Sequence, residues 1–271
     1  MFLVMESEAN WQKYRPCNEP YTGARLLEGL PYIYGKKGDF VVGLYVYLRW
    51  VDDFVDERKD LSKEQKLTFL KRQSVVVDNF TPEDILPMEA MLNKLPWDHV
   101  PERKIRQKVQ IILGSIVDDV EHQGFKVRSD REVRHYNWRT IQPVMDGLFL
   151  VLNGKPMHED ISIMKLLDAY MRIGGLDGFG DDLSQGVVKL PLKNNTEGTT
   201  SLERILEEYD EERYNSEKVK NLIKIYSNVG GFMKLDIPFW QKVACILYAG
   251  EVLVKKGLTV NRTSSLKRLG V

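Results

Sequence analysis

The sequence predicts an all-α protein, and three observations favour this fold class. Apolar residues recur at the three-to-four spacing of amphipathic helices through most of the 271 residues, as over Asp39–Glu57. Strand patterns are short and scattered, around Thr22 and over Val187–Leu190. No internal repeat or low-complexity linker divides the chain. We therefore expect a single domain spanning residues 1–271, built from about eight or nine helices.

Helix starts are marked by capping residues and prolines. Ser62 is a capping residue, and Pro82 suits the first position of a helix. Residues 186–200, rich in Gly, Asn and Thr, are expected to form the longest loop. The last predicted helix is the most apolar and is expected to lie deep in the fold. In order, the predicted helices are Asp39–Glu57, one capped by Ser62, one begun by Pro82, Pro101–His122, Asp130–Asn153, Asp160–Asp182, Ser201–Ser227 and Pro238–Lys256.

Composition excludes several classes of protein. The 39 basic and 39 acidic residues balance, which argues against a nucleic-acid binder. Cys17 and Cys245 lie far apart, which predicts two reduced thiols rather than a disulfide framework or a zinc site. The sequence shows no signal-peptide pattern and no long uncharged apolar run, so a cytoplasmic location is expected. The basic end of the chain is interpreted as a solvated tail, with a membrane-surface patch as the alternative.

The segment Tyr45–Asp56 combines charged residues with an apolar helix. On a helix Tyr45, Arg49, Asp52 and Asp56 share one face, and Asp53 lies beside them. Carboxylates this close repel one another, so a cation that offsets the repulsion is expected. Magnesium binds one or two carboxylates and fills its remaining positions with water and substrate phosphate. The alternative interpretation is a solvated acidic helix end, which the neighbouring residues Val51, Phe54 and Val55 argue against.

This segment resembles the first aspartate-rich motif of the squalene/phytoene synthase family, Tyr-x-x-x-Arg-x-x-Asp-Asp-x-x-Asp, and every position is filled. The resemblance implies a class I terpenoid synthase-like helical bundle around a central apolar cavity. It also implies two or three Mg²⁺ ions bound between two aspartate motifs on facing helices. By resemblance Asp52, Asp53 and Asp56 hold magnesium, Arg49 contacts the diphosphate or supports the aspartates, and Tyr45 lines the reaction chamber.

The family has a second motif that ends in Leu-Pro, which this chain has at Leu190-Pro191. Counting back from there aligns Asp182 with the motif's last Asp and puts Gly178 at its first. A shift of one residue instead gives Asp177 and Asp181, which keeps two carboxylates four residues apart on one helical face. Both registers stay open, and all three aspartates are candidate metal ligands. The Asn and the basic residue of the family pattern are missing.

The second motif also departs from the family at its glycines and at Lys189. Glycine in a helix costs about 1 kcal/mol relative to alanine. We therefore expect Gly174, Gly175, Gly178 and Gly180 to allow close approach of substrate or of a neighbouring helix. A Gly-rich acidic loop is the alternative interpretation of this segment. Lys189 stands where the family usually has Tyr. It is a candidate substrate-binding residue that supplies charge to the departing diphosphate, with a plain surface lysine as the alternative.

Weaker matches lie between the two motifs. Tyr136 falls at a tyrosine of the family and is a candidate catalytic residue. Where the family then has small residues that open its lipid tunnel, this chain has Ile141, Gln142, Pro143 and Met145. The resemblance therefore implies a reshaped pocket, with Ile141 and Gln142 as substrate-binding candidates.

Three further substrate-binding candidates lie near the two ends of the chain. The family's Ser-x-Ser falls around Thr22, and the nearby Arg25 is a candidate to take over diphosphate binding. Tyr248 is a candidate for the aromatic wall of the cavity.

Asp118 or Asp119 falls near an aspartate of the family that lies between the two motifs.

The resemblance implies a substrate of the farnesyl or geranylgeranyl diphosphate class. Head-to-head condensation of two prenyl diphosphates is the first hypothesis, and a single-substrate terpene synthase or diphosphate lyase is the second. A catalytically inactive scaffold is the third, and the complete Tyr-Arg-Asp-Asp-Asp set argues against it. We also expect a monomer or homodimer and peripheral membrane contact for product release. The sequence does not decide whether NADPH is used.

Overall fold

The structure is a computed structural model that describes residues 29–58, 60–78, 84–122, 126–157, 161–184, 186–192 and 198–259. Its main helices, in chain order, are α1 (Lys36–Glu57), α2 (Lys63–Val77), α3 (Pro87–Asn93), α4 (Glu102–Glu121), α5 (Asp130–Asn153), α6 (Ile161–Asp177), α7 (Phe179–Ser184), α8 (Leu202–Glu208), α9 (Glu211–Asn228) and α10 (Phe239–Thr259). Residues 29–34 are also helical. Short 3₁₀ helices span Trp97–His99 and Val229–Lys234.

The prediction of an all-α fold is confirmed. In the part of the chain that the structure describes, the strands are β1 (Lys126–Val127) and β2 (Gly198–Thr199), which form one antiparallel two-residue ladder. The residues of the predicted strand pattern Val187–Leu190 have no strand structure, and Thr22 lies outside the described residues.

The chain forms two compact units. The first comprises Met1–Val120 and Pro143–Pro156, and the second comprises Glu121–Gln142 and Met157–Val271. Both boundaries near the middle of the chain fall in helices, at the last residue of α4 and between Gln142 and Pro143 of α5. The single domain expected from the sequence stays a prediction.

The first unit is organised around one buried face of α1. Phe40, Tyr47, Val51 and Val55 are buried at positions that a helix aligns on one side. They belong to an apolar cluster with residues of α2, α3 and α4. Full burial of an aliphatic side chain stabilises a fold by about 1.5–3 kcal/mol. This face therefore fixes which residues of α1 remain accessible.

The start of α2 confirms the capping prediction. The Ser62 hydroxyl accepts a hydrogen bond from the Gln65 amide at 3.3 Å, and the Gln65 side chain accepts one from the Ser62 amide at 2.8 Å. This reciprocal pair satisfies two amides that a helix start leaves without partners. The other predicted start, at Pro82, lies outside the described residues.

The second unit is built mainly on the pairing of α6 with α9. Ile163, Leu167 and Ile173 of α6 are buried, as are Tyr214 and Ile225 of α9. The same unit buries an ionic group. The Arg172 guanidinium lies 3.1 Å from Asp168 and 2.9 Å from Asp130, so its charge is paired on both sides. Paired burial is the condition under which a protein interior tolerates such a charge.

Two helices predicted as continuous are interrupted. The prediction of one helix over Ser201–Ser227 is wrong, because α8 ends at Glu208 and α9 begins at Glu211. Asp210 lies between them, and its carboxylate accepts a hydrogen bond from the Arg213 amide at 2.8 Å, which makes it the N-cap of α9. The helix expected over Asp160–Asp182 is divided at Gly178 into α6 and α7.

The last helix differs from its prediction in burial. Its position agrees with the expected Pro238–Lys256, but Phe239, Leu247 and Val254 are 68%, 68% and 62% exposed. The expectation that this helix lies deep in the fold is therefore wrong for the face that carries these residues. Cys245 on the same helix is a free thiol, and burial raises its pKa. Cys17 lies outside the described residues.

Candidate functional site

The charged residues of α1 form an accessible stripe on an otherwise buried helix. The side chains of Arg49, Asp52 and Asp53 are 46%, 39% and 37% exposed, and Tyr45 and Asp56 are half-buried. Arg49 is two positions from the buried Tyr47, and Asp53 is two positions from the buried Val51. At 100° per residue, each therefore lies about 200° around the helix axis from that buried residue. The helix thus presents this stripe on the side opposite its core. We call these five residues the first acidic stripe.

Arg49 neutralises the two adjacent carboxylates of the stripe. Its guanidinium lies 3.3 Å from Asp52 and 2.8 Å from Asp53. An exposed pair of this kind contributes little to stability, because water screens it. The arrangement shows instead that Arg49 is within contact distance of two of the three predicted aspartates, Asp52 and Asp53.

A buried polar network anchors the other side of α1. The Tyr47 phenol donates a hydrogen bond to the Gln73 side chain at 2.9 Å, and Gln73 donates to Glu89 at 2.8 Å. Arg72 donates to the same Glu89 carboxylate through two nitrogens at 2.8 and 2.7 Å. Burial raises the pKa of the Tyr47 phenol, and the nearby Glu89 carboxylate raises it further. The network links α1 to α2 and α3 and so opposes rotation of the stripe.

The sequence pattern did not predict this network. Tyr47 was visible only as one aromatic residue among many, and Gln73 and Glu89 have the residue types of exposed helix positions. Their role depends on contacts between residues 16 and 26 positions apart in sequence. No periodic pattern reports such contacts.

The second acidic segment, residues 177–189, follows the end of α6. The Gly178 amide donates to the Gly174 carbonyl at 2.9 Å, and the Asp182 amide donates to the Gly178 carbonyl at 2.9 Å. Hydrogen bonds between residues four positions apart therefore continue across the break between α6 and α7. Asp177 and Asp181 are placed one helical turn apart, as Gly178 and Asp182 are. The local geometry is compatible with both registers of the second motif.

Lys189 contacts the second acidic segment directly. Its ammonium group lies 2.9 Å from the Asp182 carboxylate, and both side chains are mostly buried. This contact leaves both interpretations of Lys189 open, as a substrate-binding residue and as a plain surface lysine.

Close approach is seen at one of the glycines, by the non-helical chain after α7 and not by a neighbouring helix. A Cβ atom at Gly175 would lie 3.3 Å from the Leu190 side chain, so this glycine permits close approach of the chain that follows α7. At Gly174 an added Cβ would meet nothing within 4 Å, and at Gly178 it would make ordinary contacts at 3.5 and 3.8 Å. Close approach by another element therefore does not account for Gly174 or Gly178.

Of the remaining candidate residues, Asp118 and Asp119 lie in α4, and most of the others lie in α5 or outside the described part of the chain. Tyr136 is buried, and the Arg128 guanidinium lies 4.3 Å from the centre of its ring. Ile141 and Gln142 are half-buried, next to the buried Pro143 inside the helix. Thr22 and Arg25 lie outside the described residues, and so does the side chain of Tyr248.

The donor chemistry of both acidic segments suits a hard divalent cation. Within the described residues, no three His, Cys, Asp or Glu side chains converge as a ready-made metal site. Magnesium does not require such a cage, because it is commonly bound by one or two carboxylates together with substrate phosphate. Asp52 and Asp56, one helical turn apart, meet that requirement, and no soft ligand lies among the charged residues of either segment. The residues present therefore fit magnesium bound together with a diphosphate.

Among solved structures, the chain is similar to the crystal structure of a dehydrosqualene synthase in complex with ligand. The similarity covers 96% of this chain and 96% of that chain, with a TM-score of 0.57 and 15% sequence identity. The chain has a class I terpenoid synthase-like fold. At this level of identity the likeness establishes the fold and not the activity. No protein-family model matches the sequence, and no curated protein sequence does so either.

The shared fold agrees with the all-α bundle that the resemblance of Tyr45–Asp56 implied. Across the helices that the structure describes, none combines the length and apolar character needed to cross a membrane. The metal ligands and substrate-binding residues carried over from the resemblance stay predictions.

Proposed function

We propose that this protein uses magnesium to ionise an allylic prenyl diphosphate and transfers the prenyl group to a second prenyl diphosphate, in a head-to-head condensation. The observation that carries the proposal is the first acidic stripe. It is a complete Tyr-Arg-Asp-Asp-Asp set, accessible on one side of a helix whose other side is buried. The fold shared with a dehydrosqualene synthase supports the same class of reaction.

The stripe provides both signs of charge that binding a diphosphate requires. Asp52, Asp53 and Asp56 would hold magnesium through their carboxylates. When bound, magnesium neutralises the negative charge that grows on the diphosphate as the allylic C–O bond breaks. Arg49 then has a second role, because its guanidinium can donate to a phosphate oxygen once the carboxylates are engaged. Tyr45 borders the same surface and would contact the bound substrate.

The second acidic segment would contribute further ligands and a cation. Asp177, Asp181 and Asp182 are the candidate ligands in the two open registers. Lys189 already neutralises Asp182 at 2.9 Å, and in the proposed reaction it would bind the leaving diphosphate. A fixed positive charge next to developing negative charge stabilises a transition state without reorganisation.

The allylic cation also needs surroundings that exclude water. We assign Ile141 and Gln142 to the wall of the prenyl pocket, with Tyr136 on the same helix as a candidate catalytic residue. Thr22, Arg25 and Tyr248 are further substrate-binding candidates. The proposed substrate is a farnesyl or geranylgeranyl diphosphate.

A second candidate function is supported by the changed second motif. In the register that aligns Asp182 with the motif's last Asp, glycines stand at 174 and 178, where the family has Asn and Asp, and an added Cβ atom would meet no close contact at either position. Packing therefore does not explain why positions 174 and 178 have no side chain. A site with fewer ligands suits a one-substrate reaction, in which the cation cyclises, loses a proton or captures water. The product would then be a terpene or a prenyl alcohol.

Product analysis distinguishes the two functions. The purified protein is incubated with C10, C15 or C20 allylic diphosphate and Mg²⁺, and the products are identified by mass spectrometry. A C30 or C40 hydrocarbon supports condensation, and a hydrocarbon or alcohol of the substrate's own length supports the lyase. No release of diphosphate from any of the three substrates would contradict both.

The double substitution Asp52→Asn and Asp53→Asn tests the role of the stripe. It removes two carboxylates and keeps their shape, so we expect diphosphate release to fall at least about 1,000-fold. Asp39→Asn is the matched control, because Asp39 is also an aspartate of α1 but lies in its first turn. The control should retain activity within about twofold. Retained activity in the double variant would exclude the metal-binding role.

A further inference from the structure

The junction of α8 and α9 holds the backbone on both sides of the second acidic segment. The Tyr214 phenol donates a hydrogen bond to the Leu176 carbonyl at 2.7 Å. The Tyr209 phenol and the Arg213 guanidinium both donate to the Pro191 carbonyl, each at 2.8 Å. We call Tyr209, Arg213 and Tyr214 the α8–α9 clamp. Its two carbonyl partners lie just before and just after the acidic segment.

The clamp also packs against the start of α7. The Phe179 ring lies 5.4 Å from the ring of Tyr209 and 6.3 Å from that of Tyr214, measured between centroids. All three side chains are buried. The Arg213 guanidinium lies over the Tyr209 ring, 4.3 Å from its centre. Phe179 precedes Asp181 by two residues, so this packing fixes the turn that carries the aspartates.

The positions of the hydrogen-bonded carbonyls give the clamp its significance. Leu176 is directly followed by Asp177, and Pro191 lies two residues after Lys189. A buried hydroxyl and its carbonyl partner are costly to separate, because neither can then reach water. The clamp therefore restrains the main chain at the first carboxylate and near the lysine that contacts Asp182. None of its three residues belongs to the acidic segment.

We propose that Tyr209, Arg213 and Tyr214 are positioning residues that hold the second acidic segment in the arrangement that binds a magnesium–diphosphate complex. The proposal rests on the proposed function for the identity of the ligand. The clamp acts through the main chain and does not itself touch the substrate. When a group that orients a metal ligand without touching the metal is removed, metal affinity or activity typically falls about 10–100-fold.

Tyr214→Phe is the most specific test, because it removes one hydroxyl and keeps the ring. We expect the Mg²⁺ concentration for half-maximal activity to rise about 10-fold, with a smaller change in rate at saturating Mg²⁺. Tyr209→Phe should have a smaller effect, because Arg213 still donates to the Pro191 carbonyl. Ile225→Val is the control for stability, since Ile225 is buried on α9 and is not one of the clamp residues. The control should lower the unfolding temperature without changing the Mg²⁺ dependence.

Two measurements test the clamp without relying on activity. Hydrogen exchange in Tyr214→Phe should accelerate over residues 176–191 and stay unchanged in Ile225→Val. Binding of Mn²⁺ in the presence of inorganic diphosphate, followed by water-proton relaxation, should weaken in Tyr214→Phe alone. If the wild type processes no prenyl diphosphate, the proposed function fails while these two measurements still decide the role of the clamp.

Three outcomes would overturn the proposal. Unchanged exchange over residues 176–191 would show that the clamp does not restrain the segment. Faster exchange with unchanged Mn²⁺ binding would reduce the clamp to a structural contact. A wild-type protein that binds no Mn²⁺ with inorganic diphosphate would leave the clamp no ligand site to position.

Discussion

At the scale of single residues, Arg49 is both paired with carboxylates and accessible to a ligand. It contacts two carboxylates of the first acidic stripe, at 3.3 and 2.8 Å, and remains accessible to solvent. A lysine would not reproduce this geometry, because the planar guanidinium can address two acceptors at once. In the proposed reaction the same fork binds a phosphate oxygen, so Arg49 contributes most when negative charge develops.

Arg49→Gln should therefore lower kcat/KM for the prenyl diphosphate by about 100-fold, the usual cost of one lost electrostatic contact to a transition state. Arg58→Gln is the matched control, because Arg58 directly follows α1 and, like Arg49, pairs with a carboxylate, that of Asp60 at 2.7 Å. Steady-state diphosphate release measures both variants. Equal losses in the two would assign the effect to general surface charge and contradict the role of Arg49.

Ile141→Ala tests the assignment of α5 to the prenyl pocket. Ile141 is half-buried and precedes Gln142 and Pro143, where the family has small residues. Removing its bulk should shift chain-length preference toward the longer diphosphate by about 10-fold in relative kcat/KM, since each methylene group in a pocket is worth about 1–3 kcal/mol. Val144→Ala is the control, because Val144 is 42% exposed on the same helix. Identical preferences in wild type and variant would place Ile141 outside the pocket.

At the scale of helices, the buried network behind α1 makes the first unit sensitive to acid. Burial raises the pKa of Glu89, but hydrogen bonds from Arg72, the Leu86 amide and Gln73 lower it more, so the pKa lies below its usual value. A carboxyl group with a lowered folded-state pKa stabilises the protein above its unfolded pKa of about 4.3. That stabilisation is lost as pH falls through the folded-state value.

Glu89→Gln should remove this acid-dependent contribution. We expect the variant to lose about 1–3 kcal/mol at pH 7, because Arg72 loses a buried ionic partner. Its free energy of unfolding should also fall less steeply than that of the wild type below about pH 4. Urea unfolding from pH 3 to pH 7 measures both effects, with the exposed Glu207→Gln as control. Parallel stability curves for wild type and Glu89→Gln would show that Glu89 does not carry this dependence.

Helix boundaries show where sequence patterns sufficed and where they did not. The predicted Asp130–Asn153 agrees with α5, and Pro101–His122 differs from α4 by one residue at each end. These ends are marked by capping residues and proline. The predicted Ser201–Ser227 failed because its charged, amphipathic pattern continues across Asp210. Only the hydrogen bond of that side chain to the Arg213 amide shows that a new helix begins there.

The candidate site was predictable in its local part only. Helical spacing placed Tyr45, Arg49 and the aspartates of α1 on one face, as the structure has them. The contact of Lys189 with Asp182 was not predictable, because the chain between them leaves the helix and follows no period. The α8–α9 clamp was missed for a similar reason. Tyrosine and arginine at the start of an amphipathic helix have the composition of an ordinary half-exposed surface.

At the scale of the whole molecule, the proposed reaction depends on a divalent cation. EDTA should abolish prenyl diphosphate turnover, and excess Mg²⁺ should restore it to within about twofold of the untreated protein. Diphosphate release before and after chelation measures this. EDTA added as its preformed Mg²⁺ complex at the same concentration controls for ionic strength. Full turnover in EDTA would contradict the proposed mechanism for both candidate functions.

The pairing of Arg49 with its two aspartates has a consequence for assembly of the protein. Three carboxylates within two turns of a helix repel one another, at a cost of about 0.2–0.5 kcal/mol for each close pair. Here the counter-ion is built into the chain, so folding does not have to wait for a metal. The melting temperature should therefore be the same in chelator as in magnesium when no diphosphate is present. The positive charge needed for folding would then come from Arg49, and that needed for the proposed reaction from the metal. Without magnesium the protein would be folded but inactive.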